Sequence, residues 1–206
     1  MSNDGEIPIS AVVEGDVDEA VLSKIVEEAG VTLASVFGRT GKHHIYQRLK
    51  AYNKAAQFSP WIILLDLDHD APCAPTLVSQ QMPEPSKLLS FRIAVRAIES
   101  WLLADRKAFA AFLGVRKSTL PESPDLLDDP KGFVVDLARN SRRKQIRNEL
   151  VPRPRSRKRV GPAYTSRMME FSLYHWDPVR AEESSDSLRR CRAGVLNLVQ
   201  KIKADG

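Results

Sequence analysis

Pro60-Trp61-Ile62-Ile63-Leu64-Leu65-Asp66-Leu67-Asp68 is the stretch from which the fold can be read. Five apolar residues in a row, opened by a proline and closed by an aspartate, predict a strand covered on both faces. Upstream, residues 7–13 form a second short β-branched run that ends at Glu14-Gly15. Asp16 then reads as a helix cap with Glu19 completing a capping box. Val17, Val21, Ile25 and Ala29 recur every four residues and mark one buried helix face, and Gly30 stops the helix. Residues 31–37 predict another strand, followed by the loop Gly38-Arg39-Thr40-Gly41-Lys42. Ile45, Leu49, Tyr52 and Ala56 mark a second amphipathic helix. The order βαβαβ in under about 70 residues predicts a parallel, doubly wound α/β sheet flanked by helices.

Downstream of that core, a proline-rich loop (Pro72, Pro75, Pro83, Pro85) precedes a fourth predicted strand over 88–95. A helix over 97–113 is broken or bent near Asp105, which reads as the cap of its second half. Trp101, Leu102 and Leu103 read as core. Beyond Gly114 the composition changes. Residues 121–130 are an acidic loop, and 131–150 reads as one helix that turns basic midway. Residues 151–162 carry too many prolines for helix, and 184–203 predict a closing helix. The expected organisation is an α/β core over 1–114 with a helical, basic extension over 115–206 packed on it.

Charge is concentrated rather than spread. The chain of 206 residues carries a formal +5. Ten basic side chains and one acid, Glu149, fall between Arg139 and Arg159, so that segment carries +9 and the remainder −4. Arg142, Arg143 and Lys144 fall on the predicted helix. Arg153, Arg155, Arg157, Lys158 and Arg159 alternate with Pro and Ser in extended chain, a spacing suited to tracking phosphates without reading bases. No aromatic residue interrupts the segment, which argues against stacking of single strands. Other classes are excluded. No apolar run approaches the ~20 residues of a membrane span. The polar, acidic start does not read as a secretory signal or a basic transit peptide. Two cysteines, Cys73 and Cys191, fit a reducing cytoplasm and no disulfide framework.

The candidate chemistry sits where strands end. Glu14 and the Asp66-Leu67-Asp68-His69-Asp70 cluster each follow an apolar strand, and in a parallel sheet such ends share one edge. Asp66 and Asp68 face the same side of an extended exit segment. Carboxylates without thiolates suit Mg²⁺ or Mn²⁺ rather than zinc. Glu14, Asp66 and Asp68 are therefore expected as metal ligands, with Asp70 and Glu99 as further carboxylates. Glu99 reads equally well as a surface acid paired with Arg96. The 38–42 loop fails as a Walker A motif, because its glycines are too close and His43 follows the lysine. Arg39 and Lys42 remain candidates for a phosphate, and adjacent His43 and His44 cannot share a metal on a helix.

The acid–glycine pair Glu14-Gly15 after one strand and Asp66-Leu67-Asp68 after another resemble the TOPRIM domain of topoisomerases, primases and nucleases of the overcoming-lysogenization-defect type. The string Glu99-Ser100-Trp101-Leu102-Leu103-Ala104-Asp105 is similar to the signature of a small TOPRIM-related bacterial family. The resemblance covers residues 7–113, and weakly Gly161-Pro162-Ala163-Tyr164 and Ser187-Leu188. A departure is Asp16-Val17-Asp18-Glu19 where the family reads Thr-Glu or a similar polar pair, which leaves open which acid besides Glu14 touches metal. The resemblance implies phosphodiester cleavage or transfer on DNA or RNA, with Asp66 and Asp68 as ligands and Glu14 as ligand or proton carrier. It also implies a place in phage defence beside an ATPase partner. Two other readings are a non-catalytic module that binds nucleic acid or docks on a partner, and a haloacid-dehalogenase-type phosphatase using Asp66 as nucleophile. The second fits less well, because His69-Asp70 replaces the usual small pair and the motif ends the third strand rather than the first.

Overall fold

A computed structural model describes residues 8–205. Among them, the strands are β1 (Pro8–Val13), β2 (Thr32–Gly38), β3 (Trp61–Asp66) and β4 (Leu89–Ala94), joined in one sheet of order β2-β1-β3-β4. Every pairing is parallel. The expected α/β class, a parallel sheet flanked by helices, is therefore the observed one.

Helix α1 (Asp16–Glu28) links β1 to β2, and α2 (Lys42–Ala55) links β2 back to β3 on the far side of β1. Reversing the winding direction at β1 sends the two helices to opposite faces. The side-chain alternation agrees. Ile9, Ala11, Val13, Ile62 and Leu64 pack with α1, whereas Val12, Ile63 and Leu65 pack with Ile45 and Leu49 of α2. The C-terminal ends of β1 and β3 thus flank the point where strand order reverses, the position at which open α/β sheets leave a crevice.

The α1 face carries most of the protein. Helices α4 (Ile98–Ala104), α5 (Arg106–Leu113), α6 (Pro130–Arg139), α7 (Lys144–Leu150), α8 (Tyr164–Tyr174), α9 (Pro178–Ala181) and α10 (Asp186–Asp205) follow the sheet in sequence. One cluster of buried side chains runs from Ile9 through Trp101, Phe109, Val134 and Phe171 to Val199, so the C-terminal helices share the core of this face. The Glu99–Asp105 string is the strap that ties them down. The Trp101 indole N–H donates to Ser187 Oγ at 2.7 Å, and the Trp176 indole N–H donates to the Trp101 carbonyl at 3.0 Å. Asp105 caps α5 and also accepts from Arg180 at 2.6 Å.

Three local expectations need correction. Asp16 does not cap α1. Gly15 is the N-cap, with no side-chain bond, and Asp16 is the first helical residue. The proline-rich loop holds a short helix, α3 (Ala74–Gln81), because Pro75 falls in its first turn, where a missing N–H costs nothing. The predicted 131–150 helix is two helices, α6 and α7. Asn140 ends the first, and Ser141 holds the break by donating from its hydroxyl to the Leu113 carbonyl and accepting from the Arg143 N–H.

Candidate functional site: a carboxylate basin at the sheet edge

The crevice between β1 and β3 is acidic. Glu14 stands just past β1 and accepts a 2.8 Å bond from the Asp66 backbone N–H, which links the two strand ends. Asp66, the last residue of β3, accepts from the Ile98 N–H at 2.8 Å and so anchors the start of α4. In the first turn of α1, Asp18 is buried, with its Oδ1 lacking any hydrogen-bond partner. Glu99 on α4 is 1% exposed. Its Oε1 accepts from the Tyr164 hydroxyl at 3.1 Å and lies 3.4 Å from Lys131 Nζ, and its Oε2 is unpartnered.

These four carboxylates press on one another. Burial, reinforced by the charges of Glu14 and Glu99, pushes the Asp18 carboxyl up to about 7. Burial raises Asp66 well above its ordinary value, with Asp18, Glu99 and Glu14 adding to it. Burial also raises Glu14, although Lys42 opposes it. Lys131 is held more firmly protonated, first by the Glu99 charge. Buried carboxylates with two orphaned oxygens are costly without a cation or proton to share. Hard oxygen donors of this kind fit Mg²⁺ or Mn²⁺.

The expected triad does not converge as such. Asp68 sits in a turn with φ of +45°, so the segment leaving β3 is not extended and Asp66 and Asp68 point to different partners. Asp68 accepts from Lys42 Nζ at 2.6 Å, and its backbone exchanges bonds with Arg96 through Asp68 N–H to Arg96 O and Arg96 Nη1 to Asp68 O, both 2.8 Å. Asp70 accepts from Lys42 at 3.0 Å and from the Tyr46 hydroxyl at 2.9 Å. Among the described residues, no three His, Cys, Asp or Glu side chains stand ready to grip one ion as placed. The basin has an inner part (Asp18, Asp66, Glu99) facing Lys131 and an outer part (Glu14, Asp68, Asp70) facing Lys42. Arg96, expected as a partner of Glu99, instead serves Asp68.

Other expected residues are accounted for as follows. Arg39 is ion-paired with Glu19 but its side chain stays 46% exposed, whereas Lys42 is held among the outer carboxylates. Gly38, with φ of +92°, lets this loop pass against β1, since a Cβ there would run into the Val13 carbonyl oxygen. Arg142, Arg143 and Lys144 do not wrap around a helix. They bridge the break before α7 and begin it, and Arg143 donates to the Phe112 carbonyl at 3.1 Å while its stem covers Gly114. Lys144 lines a cleft of about 540 Å³ with Phe112, Arg167 and His175. Arg155, Arg157 and Lys158 lie exposed on the 151–162 loop.

The C-terminal end of that loop is anchored beside the basin. Arg159 pairs at 2.5 Å with Asp129, the cap of α6, and α6 carries Lys131 in its first turn. Tyr164, which opens α8 just past the loop, holds Glu99. Sequence reasoning missed Asp18, Lys131 and Tyr164. Asp18 had a signal, as one of the acids of the Asp16-Val17-Asp18-Glu19 stretch that follows Glu14-Gly15. Tyr164 had only the weak resemblance of its segment, and Lys131 had none.

No protein-family model, curated protein or solved structure matches the chain.

The Asp18 displacement sets a pH dependence. A carboxyl moved from 3.8 to about 7 on folding is protonated in the folded chain where the unfolded chain is ionised. Its stability contribution is present below pH 4 and is lost as pH rises toward 7. In EDTA, the melting-temperature difference between wild type and Asp18→Asn therefore grows in favour of Asn from pH 4 to pH 8. A difference that stays flat over that range contradicts the assignment.

Proposed function

We propose that the protein cleaves or transfers phosphodiesters of nucleic acid with the help of Mg²⁺ or Mn²⁺. The observation that carries this reading is the pairing of a cation-demanding carboxylate basin with an exposed arginine-rich loop anchored at its rim. The basin alone fits many metal sites, and the loop alone fits a solvated charge run. Together they set a hard-metal donor set beside a surface that attracts polyphosphate.

Asp66, Asp18 and Glu99 would hold the ion, with Glu14 completing the set or carrying a proton between water and the leaving oxygen. A divalent ion bound there would polarise the phosphate and lower the pKa of water. The chain's own residues do the rest. Tyr164 fixes one oxygen of Glu99 and leaves the other buried without a partner. Lys131, whose side chain is 46% exposed and lies 3.4 Å from Glu99, would meet a negatively charged phosphate. Arg155, Arg157 and Lys158 would hold the backbone of the strand outside the basin.

The TOPRIM resemblance adds an ATPase partner and a role in phage defence to this proposal, and the free thiols of Cys73 and Cys191 suit the cytoplasm. Among the described residues, no helix is long and apolar enough to cross a membrane. The test is cleavage of plasmid DNA, single-stranded DNA and RNA with Mg²⁺ or Mn²⁺, alone and with an ATPase partner. Cleavage that needs the metal and is lost in Asp66→Asn supports the reading; none in any arm removes it.

The loop makes a separate prediction. Changing Arg155, Arg157 and Lys158 to Gln weakens binding evenly across sequences. It also reduces the slope of log affinity against log salt by about 3 for a duplex. Unchanged salt dependence in a binding titration would take the loop out of the interface.

A further inference from the structure

Lys42 occupies the outer basin as a cation would. Its side chain is 12% exposed, and its ammonium lies 2.6 Å from Asp68, 3.0 Å from Asp70 and 3.8 Å from Glu14. An ammonium has three donors, and here three carboxylates surround them. The arrangement is braced on each side. Tyr46, one turn further along α2, holds Asp70, and Arg96 holds the backbone of Asp68. Gly38, Arg39 and Gly41, just before Lys42, all have φ above +50°, so the lysine enters from a sharply turned loop. Six carboxylates line the basin (Glu14, Asp18, Asp66, Asp68, Asp70, Glu99), and the ammonium groups in contact with them are Lys42 and Lys131. The inner carboxylates keep orphaned oxygens, whereas in the outer part Asp68 and Asp70 are engaged by Lys42.

We propose that Lys42 is the resident counter-ion of the outer carboxylates and competes for Glu14 with a divalent cation in the inner basin. An ion held by Asp18, Asp66 and Glu99 would take Glu14 into its shell only as the ammonium gives it up, and that release would put a free positive charge at the mouth of the basin as the metal arrives. Loading the site and presenting a cation to the substrate phosphate are then one event. This inference rests on the metal-dependent reading of the basin and adds to it the element that controls loading.

The competition is read by Mn²⁺ titration of the full chain, followed by electron paramagnetic resonance or calorimetry. Lys42→Met keeps the aliphatic stem and removes the charge. It binds Mn²⁺ on the order of tenfold more tightly than wild type, as expected for deleting a positive charge a few ångströms from the ion. Lys50→Met, which removes an exposed charge from the same helix, leaves the affinity within about twofold. A second measurement does not depend on how Lys42→Met folds. In ¹⁵N-lysine-labelled wild type, the Lys42 ammonium resonance, assigned through Lys42→Arg, shifts from its ion-paired position when Mg²⁺ is added. Equal or weaker Mn²⁺ binding by Lys42→Met, or an ammonium resonance unmoved at saturating Mg²⁺, overturns the proposal while leaving the metal site standing. Absence of Mn²⁺ binding in both wild type and Lys42→Met overturns the metal reading along with it.

Discussion

Asp66→Asn is expected to lower metal-dependent cleavage by about 10³-fold or more while leaving the protein folded. Loss of an outer hydrogen-bond partner of a metal ligand costs about 10- to 100-fold, so an effect above that range separates a direct ligand from a support. The substitution is chosen because Asn keeps an oxygen for the Ile98 N–H, and with it the start of α4. It also removes one charge from a basin where Asp18, Glu99 and Glu14 all raise the proton affinity of Asp66. Metal-free Asp66→Asn should therefore melt at or above the wild-type temperature, although it is inactive. Mg²⁺ should raise the melting temperature of wild type and not that of the variant. A variant that cleaves within about tenfold of wild type would place the chemistry elsewhere, whatever its stability.

Asp105→Ala should have the largest effect on stability. The carboxylate is 2% exposed and collects four donors: Arg180 Nη2 at 2.6 Å, Arg180 Nε at 3.1 Å, the Asp177 N–H at 3.1 Å and the Ala108 N–H at 3.4 Å. It thereby caps α5, fixes the entry to α9 and ties residues 177–180 to the end of the Glu99–Asp105 string. Truncation removes the cap of α5 and leaves the Asp177 N–H without its partner, losses of about 1 kcal/mol and about 1–3 kcal/mol respectively, while the half-exposed Arg180 keeps Asp177. For a chain of this length that corresponds to a fall of roughly 5–12 °C in melting temperature. Asp105→Asn retains acceptors for Asp177 and Ala108 and should lose about half as much. A thermal melt within about 3 °C of wild type for Asp105→Ala would show that the strap is redundant.

The legible part of the fold was the part written in short-range pattern. The runs at 61–65 and 7–13 announced strands because short apolar, β-branched runs bounded by turn residues suit a strand covered on both faces. The four-residue recurrence of Val17, Val21 and Ile25 announced α1 in the same way. The break within 131–150 escaped the pattern, because the hydroxyl of Ser141 stabilises it by bonding to the carbonyl of Leu113, 28 residues away. The capping role assigned to Asp16 failed for a related reason. Gly15 already supplies the extended N-cap backbone, so the acids of the first turn are free to serve the basin and its rim, Asp18 inside it and Glu19 on Arg39.

The candidate site divides along the same line. Glu14 and Asp66 were legible because a parallel sheet brings its strand ends to one edge, and the sequence alone therefore determined that this protein carries an acidic sheet edge and a separate basic segment. Which acids form the inner basin was decided only by tertiary structure. Asp18 enters through the pitch of α1, and Glu99 is turned away from Arg96 toward Tyr164 and Lys131, two residues that lie 65 and 32 positions further along. The turn at Asp68 sends its carboxylate to Lys42 instead of to Asp66. Partner choice among charged side chains depends on where remote segments dock, because carboxylates and ammonium groups interact through space with little regard for chain separation. Nothing in local periodicity encodes that, whereas the apolar runs that set the sheet edge encode their own burial.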